Sequence, residues 1–221
     1  MLKYNAVLKN RSQYEESQKI LRSRGLPLHV DPPKNWDSLA CLNILENENS
    51  FKKNKILDAG GEFYSSFLPQ LAMLGFLDLT CINIVFDKTE RRGPILYKKG
   101  DITHTAFTDG HFHFISCLSV IEHGVNIKHY FSEMSRILQK GGLLFTSTDY
   151  WHEPLEVEGK MAYGVPIKIF SRDDILRFVD TANLFGLELV GKLDLECEEH
   201  AVNWNEFDLN YTFIYFLLRK H

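Results

Sequence analysis

No apolar run in the 221 residues approaches the roughly 18 needed to cross a membrane, and the N-terminal stretch MLKYNAVLKNRSQYEES holds no sustained apolar core of the kind a secretory signal requires. The expectation is a cytoplasmic protein with no membrane partner. Cysteine is scarce: Cys41, Cys81, Cys117 and Cys197 are far apart, with no C-x-x-C pair, which argues against a zinc ribbon and a thioredoxin-type centre. Cys81 and Cys117 sit inside apolar runs and read as small core residues. His104, His111, His113 and His129 show no paired ligand spacing, so no metal is expected. A basic stripe is missing too. Net charge is −4, and Arg91-Arg92 and Lys98-Lys99 read as solvated loop, so no nucleic-acid partner is expected. Internal repeats and low-complexity tracts are absent.

What is present is an ordinary globular composition, 44% hydrophobic and 24% charged, long enough for one α/β domain with a substantial core. Residues 1–50 read as a helical extension or lid: a polar helix over Tyr14 to Arg24, a stop at Gly25-Leu26-Pro27, an extended turn at Pro32-Pro33, and a helix capped from Asn35-Trp36-Asp37-Ser38. Residues 51–221 read as the main domain. There Ile56-Leu57, Leu79 to Val85, Ile95 to Tyr97, Phe112 to Leu118 and Leu143 to Thr148 are strand-like. Between them lie a helix opened by Ser65-Ser66 and one capped by Asn126, with Ile127, Tyr130, Phe131, Met134, Ile137 and Leu138 on one face. Ser171 with Asp174 opens a further helix. Leu187 to Leu195 and Tyr211 to Arg219 close the chain as an antiparallel hairpin. Strand–helix alternation predicts a Rossmann-like, doubly wound, mainly parallel seven-stranded sheet.

Ligands of such sheets bind beyond the carboxyl ends of the strands. The first turn there, Asp58-Ala59-Gly60-Gly61-Glu62, uses glycine to let backbone approach a ligand closely. With this turn the chain resembles the class I S-adenosylmethionine-dependent methyltransferases, in particular the small-molecule type, from Lys55 to the C-terminus. Ile56-Leu57-Asp58-Ala59-Gly60-Gly61 is similar to the family's first motif, which implies a hold on the methionine end of the cofactor. Gly100-Asp101-Ile102 resembles the loop whose Asp meets the adenine amino group. Phe112-His113-Phe114-Ile115-Ser116-Cys117-Leu118-Ser119-Val120-Ile121-Glu122-His123 is similar to the fourth-strand motif, which places Ser119 at the cofactor. Leu138-Gln139-Lys140-Gly141-Gly142 is similar to the turn into the fifth strand. The resemblance implies S-adenosyl-L-methionine as cofactor, with Asp58, Gly60, Gly61, Glu62, Asn83, Asp101, Ile102 and Ser119 around it. Two positions depart from the pattern. Glu62 and Tyr64 stand where the family favours glycine, and Asn83 stands where an acid usually holds both ribose hydroxyls; Asp87 is the alternative ribose ligand.

A sulfonium already activates the methyl group, so holding the acceptor in line supplies much of the rate, and an oxygen acceptor gains from a base. His123, Asp149 and His152, near strand ends, are the candidates for that base, His123 foremost because imidazole titrates near neutrality. Tyr150 and Tyr163 would shape the pocket, and Ala162-Tyr163-Gly164-Val165-Pro166, too irregular for helix, would form part of a lid. The implied activity is methyl transfer to a small hydroxylated acceptor, by loose analogy a sugar or glycan precursor. Two alternatives stay open: a non-catalytic relative of the same fold, and a nicotinamide-dependent oxidoreductase, which lacks its G-x-G-x-x-G at Gly60-Gly61-Glu62-Phe63-Tyr64-Ser65.

Overall fold

Strand-to-helix alternation produces one mixed sheet with helices on both faces. The computed structural model describes residues 3–48, 54–162 and 164–221. Seven strands form the body: β2 (Lys55–Ala59), β3 (Asp78–Asn83), β5 (Ile95–Lys99), β6 (Phe112–Leu118), β7 (Leu138–Tyr150), β10 (Leu187–Leu189) and β12 (Leu209–Lys220). The order runs β5-β3-β2-β6-β7-β12, with β10 on the far side of β12. Neighbours from β5 to β7 are parallel, and β12 is antiparallel to both β7 and β10. This is the expected doubly wound sheet with its antiparallel hairpin. Three short strands enlarge it: β1 (Ala6–Val7) and β11 (Val202–Trp204), both antiparallel to β12, and β4 (Glu90–Arg92), antiparallel to β5.

Each face carries its own apolar core, as strands buried on both sides require. On one face lie α1 (Arg11–Ser23), α2 (Lys34–Asn47) and α3 (Phe67–Met73), with Leu21, Leu42, Ile44 and Phe67 packed on Ile56, Phe145, Phe213 and Leu217. On the other, α4 (Ile127–Ile137) and α5 (Arg172–Asn183) bring Phe131, Met134, Ile175 and Phe178 onto Leu57, Ile115, Leu144 and Phe216. The α4 cap at Asn126, whose side chain accepts from His129 N, and the Ser171–Asp174 capping box of α5 form as read.

Several local expectations change. Arg91-Arg92 is strand, not solvated loop, because Glu90–Arg92 pairs with the edge of β5. Asn35 does not cap α2, which begins at Lys34; its amide instead ties down the preceding loop, accepting from His29 N and donating to the carbonyls of His29, Asp31 and Pro32. Gly141-Gly142 lies inside β7, within a bulge between the Phe112–Leu138 and Phe114–Leu143 pairs. β10 stops at Leu189, where the Asn5 side chain takes the carbonyls of Val190 and Lys192. The Ala162–Pro166 segment is a small hairpin of β8 (Met161–Ala162) and β9 (Val165–Pro166). Tyr163 and the expected boundary at residues 50 and 51 fall outside the described residues. Among the described residues no helix is long and apolar enough to cross a membrane.

Candidate active site

The strand order reverses at β2 and β6, and the crevice beyond the carboxyl ends of such a pair is where these sheets bind ligands. The turns after the two strands touch. Gly60 adopts φ +92° and lies so close to Val120 that a β-carbon would sit 2.6 Å from its methyl groups. Gly61 rests on the first strand itself: a β-carbon there would fall 2.1 Å from Asp58 Oδ2. Both positions require glycine, the first for its backbone angle and the second for the close approach. Asp58 is buried and accepts a hydrogen bond from Ser116 Oγ at 2.8 Å. Burial pushes its carboxyl up to about 7, so it braces the turn from within rather than facing a ligand.

Asn83 closes the crevice on the β3 side. Its amide donates to the carbonyls of Gly60 (2.9 Å) and Gly61 (3.1 Å), and its carbonyl accepts from Val85 N. The Gly100 N–H donates to the Asn83 carbonyl oxygen, so the Gly60-Gly61 turn and the Gly100-Asp101 loop are joined through one residue. Asp101 is exposed; its Oδ1 accepts from Thr103 N and Oγ1, which leaves Oδ2 open among the described residues. Ile102 is buried in the core of the α4 face. Glu62 is half-buried, and burial raises its pKa.

The crevice contains one orphaned group. Ser119, in the left-handed region at φ 53°, has a buried hydroxyl with no hydrogen-bond partner among the described residues. A buried unpaired hydroxyl and a strained non-glycine backbone both cost stability and tend to persist where a ligand uses them. The glycine cradle and the orphaned Ser119 hydroxyl fit the S-adenosylmethionine that the resemblance implies, whose amino-acid part they would hold, with the open Asp101 Oδ2 available to its adenine. The ribose is a departure, since the Asn83 side chain is committed to the turn; its backbone bracing replaces the role read for it from sequence. Asp87 is exposed nearby in the chain.

Beyond β6 and β7 opens a cavity of about 520 Å³, lined by Lys34, Glu122, His123, Asp149, Trp204 and Tyr211 among others. Asp149 is buried at the end of β7 and directly opposes Phe213 of β12, so the two side chains share a face. Glu122, also buried, accepts from Thr148 Oγ1 at 2.9 Å. Burial, reinforced by the mutual repulsion of the two carboxylates, raises the pKa of Asp149 most, against the pull of Lys34, His123 and a Tyr211 hydrogen bond. Glu122 is raised as well, by burial first. The two behave as a pair that keeps a proton well above the usual carboxylate range. His123 is half-buried, and burial lowers its pKa, which keeps the imidazole neutral.

Of the residues singled out from sequence, His123 and Asp149 come together in this cavity. His152 does not line it; its Nδ1 contacts Cys197 Sγ at 3.2 Å and its Nε2 faces Glu153. Tyr150 does not shape it either: its hydroxyl is buried and donates to the Leu195 carbonyl. Sequence reading passed over Lys34, Tyr211 and the carboxylate of Glu122. Glu122 stood inside a quoted motif, and its place beside His123 was the available signal. For Lys34 and Tyr211 no local pattern marks a site.

Comparison with known proteins agrees with this geometry. Residues 59–146 match the family model described as a methyltransferase domain. No curated protein matches the sequence. Among solved structures, the complex of the Haloferax volcanii Trm112 methyltransferase activator with a methyltransferase aligns at TM-score 0.63 and 12% identity, over 96% of this chain and 97% of that one. The [4+2]-cyclase SpnF aligns at TM-score 0.63 and 12% identity, over 95% of each chain. A Methanosarcina mazei S-adenosylmethionine-dependent methyltransferase aligns at TM-score 0.57 and 13% identity, over 80% of this chain and 96% of that one. At such identities the likeness speaks for the fold alone, and residues 59–146, under half of the chain, are similar to a methyltransferase domain, which supports the resemblance to the class I S-adenosylmethionine-dependent methyltransferases.

Proposed function

We propose that the chain transfers a methyl group from S-adenosylmethionine to a hydroxyl of a small acceptor, a sugar or glycan precursor, seated in the cavity between β6, β7 and β12. The observation that carries this reading is the buried Glu122–Asp149 pair at the carboxyl ends of β6 and β7, beside the cofactor crevice. When bound, the cofactor supplies a methyl group already activated on a sulfonium. The chain's own residues have three tasks. The turn at Gly60-Gly61, Ser119 and Asp101 orients the cofactor. Trp204, Phe207 and Tyr211 give the acceptor an apolar wall and shut out water. The carboxyl pair, carrying one proton between its two members, takes the proton of the acceptor hydroxyl, with Thr148 and Tyr211 holding the two carboxyls in place. Neutral His123 is the alternative acceptor of that proton.

Label transfer from methyl-labelled S-adenosylmethionine to a panel of hydroxylated acceptors tests the proposal. Transfer to a hydroxyl oxygen is expected. A well-folded chain that binds the cofactor but labels only amines would overturn oxygen as the acceptor atom, and one that labels nothing across the panel would favour a non-catalytic relative.

A further inference from the structure

Lys34 opens α2, in the segment that precedes the first strand of the matched domain, yet it lines the same cavity as Glu122 and Asp149. Its placement follows from three contacts. Asp37, one turn along α2, accepts from Ser147 Oγ of β7 at 2.6 Å. The Lys34 ammonium stands 4.4 Å from the centre of the Phe213 ring. Phe213 in turn is the cross-strand partner of Asp149. So the first turn of α2 lies over the face of the sheet that ends in Asp149. Trp36 anchors it there, its ring 4.8 Å from that of Tyr215 on the same strand.

The charges around this ammonium are uneven. Asp149 from β7, Glu122 from the turn after β6, Asp37 from α2 itself and Asp31 from the preceding loop all attract it. His29 and His123 also feel its charge, and Tyr211 faces the same carboxyls from β12. Among the described residues Lys34 forms no direct ion pair with any of the four acids. Burial opposes its charge, but the carboxylates outweigh burial and raise its pKa. A cation that touches no single anion yet is attracted by four acts through its field on the group, not as a bridge to one of them.

We propose that Lys34 is a positioning residue of the active site, a fixed positive charge that holds the Glu122–Asp149 pair in its singly deprotonated state. On this view the N-terminal segment does more than cover the cavity: it completes the proton acceptor. The proposal rests on the reading of this cavity as the acceptor site. Without Lys34 the pair would hold its second proton to higher pH and be a poorer proton acceptor near neutrality.

The test needs neither cofactor nor acceptor, so it fails or succeeds independently of whether methyl transfer is found. The carbonyl stretch of protonated carboxyls is followed by infrared difference spectroscopy across a pH titration of the full chain, with Asp149→Asn and Glu122→Gln to assign the bands. Lys34→Met is expected to move the assigned midpoint up by about one pH unit or more, in line with the loss of a nearby opposite charge, and Lys34→Arg to restore it. A Lys34→Met chain that titrates like the wild type would overturn the proposal. Should Lys34→Met fail to fold by circular dichroism, nitrogen-labelled lysine NMR on the wild-type chain decides. The Lys34 ammonium resonance is then expected to shift with the same midpoint as the Asp149 band, and a resonance indifferent to that titration would contradict the proposal.

Discussion

Two groups of buried or half-buried carboxylates divide the molecule. On α4 and α5 each acid arrives with donors of its own. Glu133 accepts from Arg136, from Thr105 N and from Thr105 Oγ1, which together hold its carboxyl down to about 2 despite burial. Asp174 is held down to about 2 by Ser171 and Arg177, again against burial. At the carboxyl ends of β2, β6 and β7 the acids lack such matching. Burial pushes Asp58 up to about 7 and raises Glu122 and Asp149, and it pushes Asp37, which reaches β7 from α2, up to about 6. Structural acids are satisfied where they stand, whereas those at the strand ends store an electrostatic cost that a packed core alone would not require. Such imbalance in a cleft is a mark of function.

Several measurements sharpen or break this contrast. The largest effect is expected from Asp149→Asn, which removes the carboxyl but keeps its shape: methyl transfer should fall about 100-fold or more while S-adenosylhomocysteine binding persists, as read by turnover and calorimetry on the same preparation. Equal loss of both would make Asp149 a structural residue. Glu133→Ala belongs to the other group and should leave turnover alone while lowering stability in urea unfolding by about 2 kcal/mol, as for hydrogen bonds to a charged group. Next comes the pH dependence of stability without ligand. Asp37 and Asp58 keep their protons in the folded chain to about pH 6–7 but lose them near pH 4 when unfolded. The folded state thus binds more protons across that window, and their contribution is lost as pH rises through it. Glu133 and Asp174 act in the opposite sense: their contribution is complete above the unfolded pKa and is lost as pH falls toward 2. Scanning calorimetry should therefore show Tm falling both from about pH 4 to about pH 7 and, in the other direction, below about pH 4, with Asp58→Asn flattening the upper limb alone. The smallest effect is expected from His152→Ala, outside the cavity, which should change turnover by no more than about twofold.

Much of this molecule was legible in its sequence because the decisive signals are local. The Ile56-to-Gly61 strand and turn, the Gly100-Asp101 loop and the run from Phe112 to His123 each lie within a dozen or so residues, and their order implies the sheet. The acceptor side was less legible because it is assembled at long range. Asp37 meets Ser147 across 110 positions, and Lys34 reaches Asp149 by way of Phe213. In sequence Asp37 looked like part of a helix cap, and nothing local separated it from one. β1, with two residues, is too short to show a period. His152 misled for a related reason: closeness to the end of β7 in the chain did not aim its ring into the cavity. Asn83 was read as a ribose ligand from its position at the end of β3, yet its amide is spent on the adjacent turn, a partnership that depends on the parallel neighbour and not on the strand itself.

Methyl transfer by this chain depends on an adenosyl cofactor in the crevice from Gly60 and Ser119 to Asp101. Calorimetric titration of S-adenosylhomocysteine into the wild-type chain and into Asp101→Ala tests it most directly. Saturable one-to-one binding to the wild type is expected, weakened about tenfold in Asp101→Ala by loss of the carboxylate's hydrogen bond. Folded wild-type protein that gives no binding heat, or an Asp101→Ala chain that binds as tightly, would contradict it.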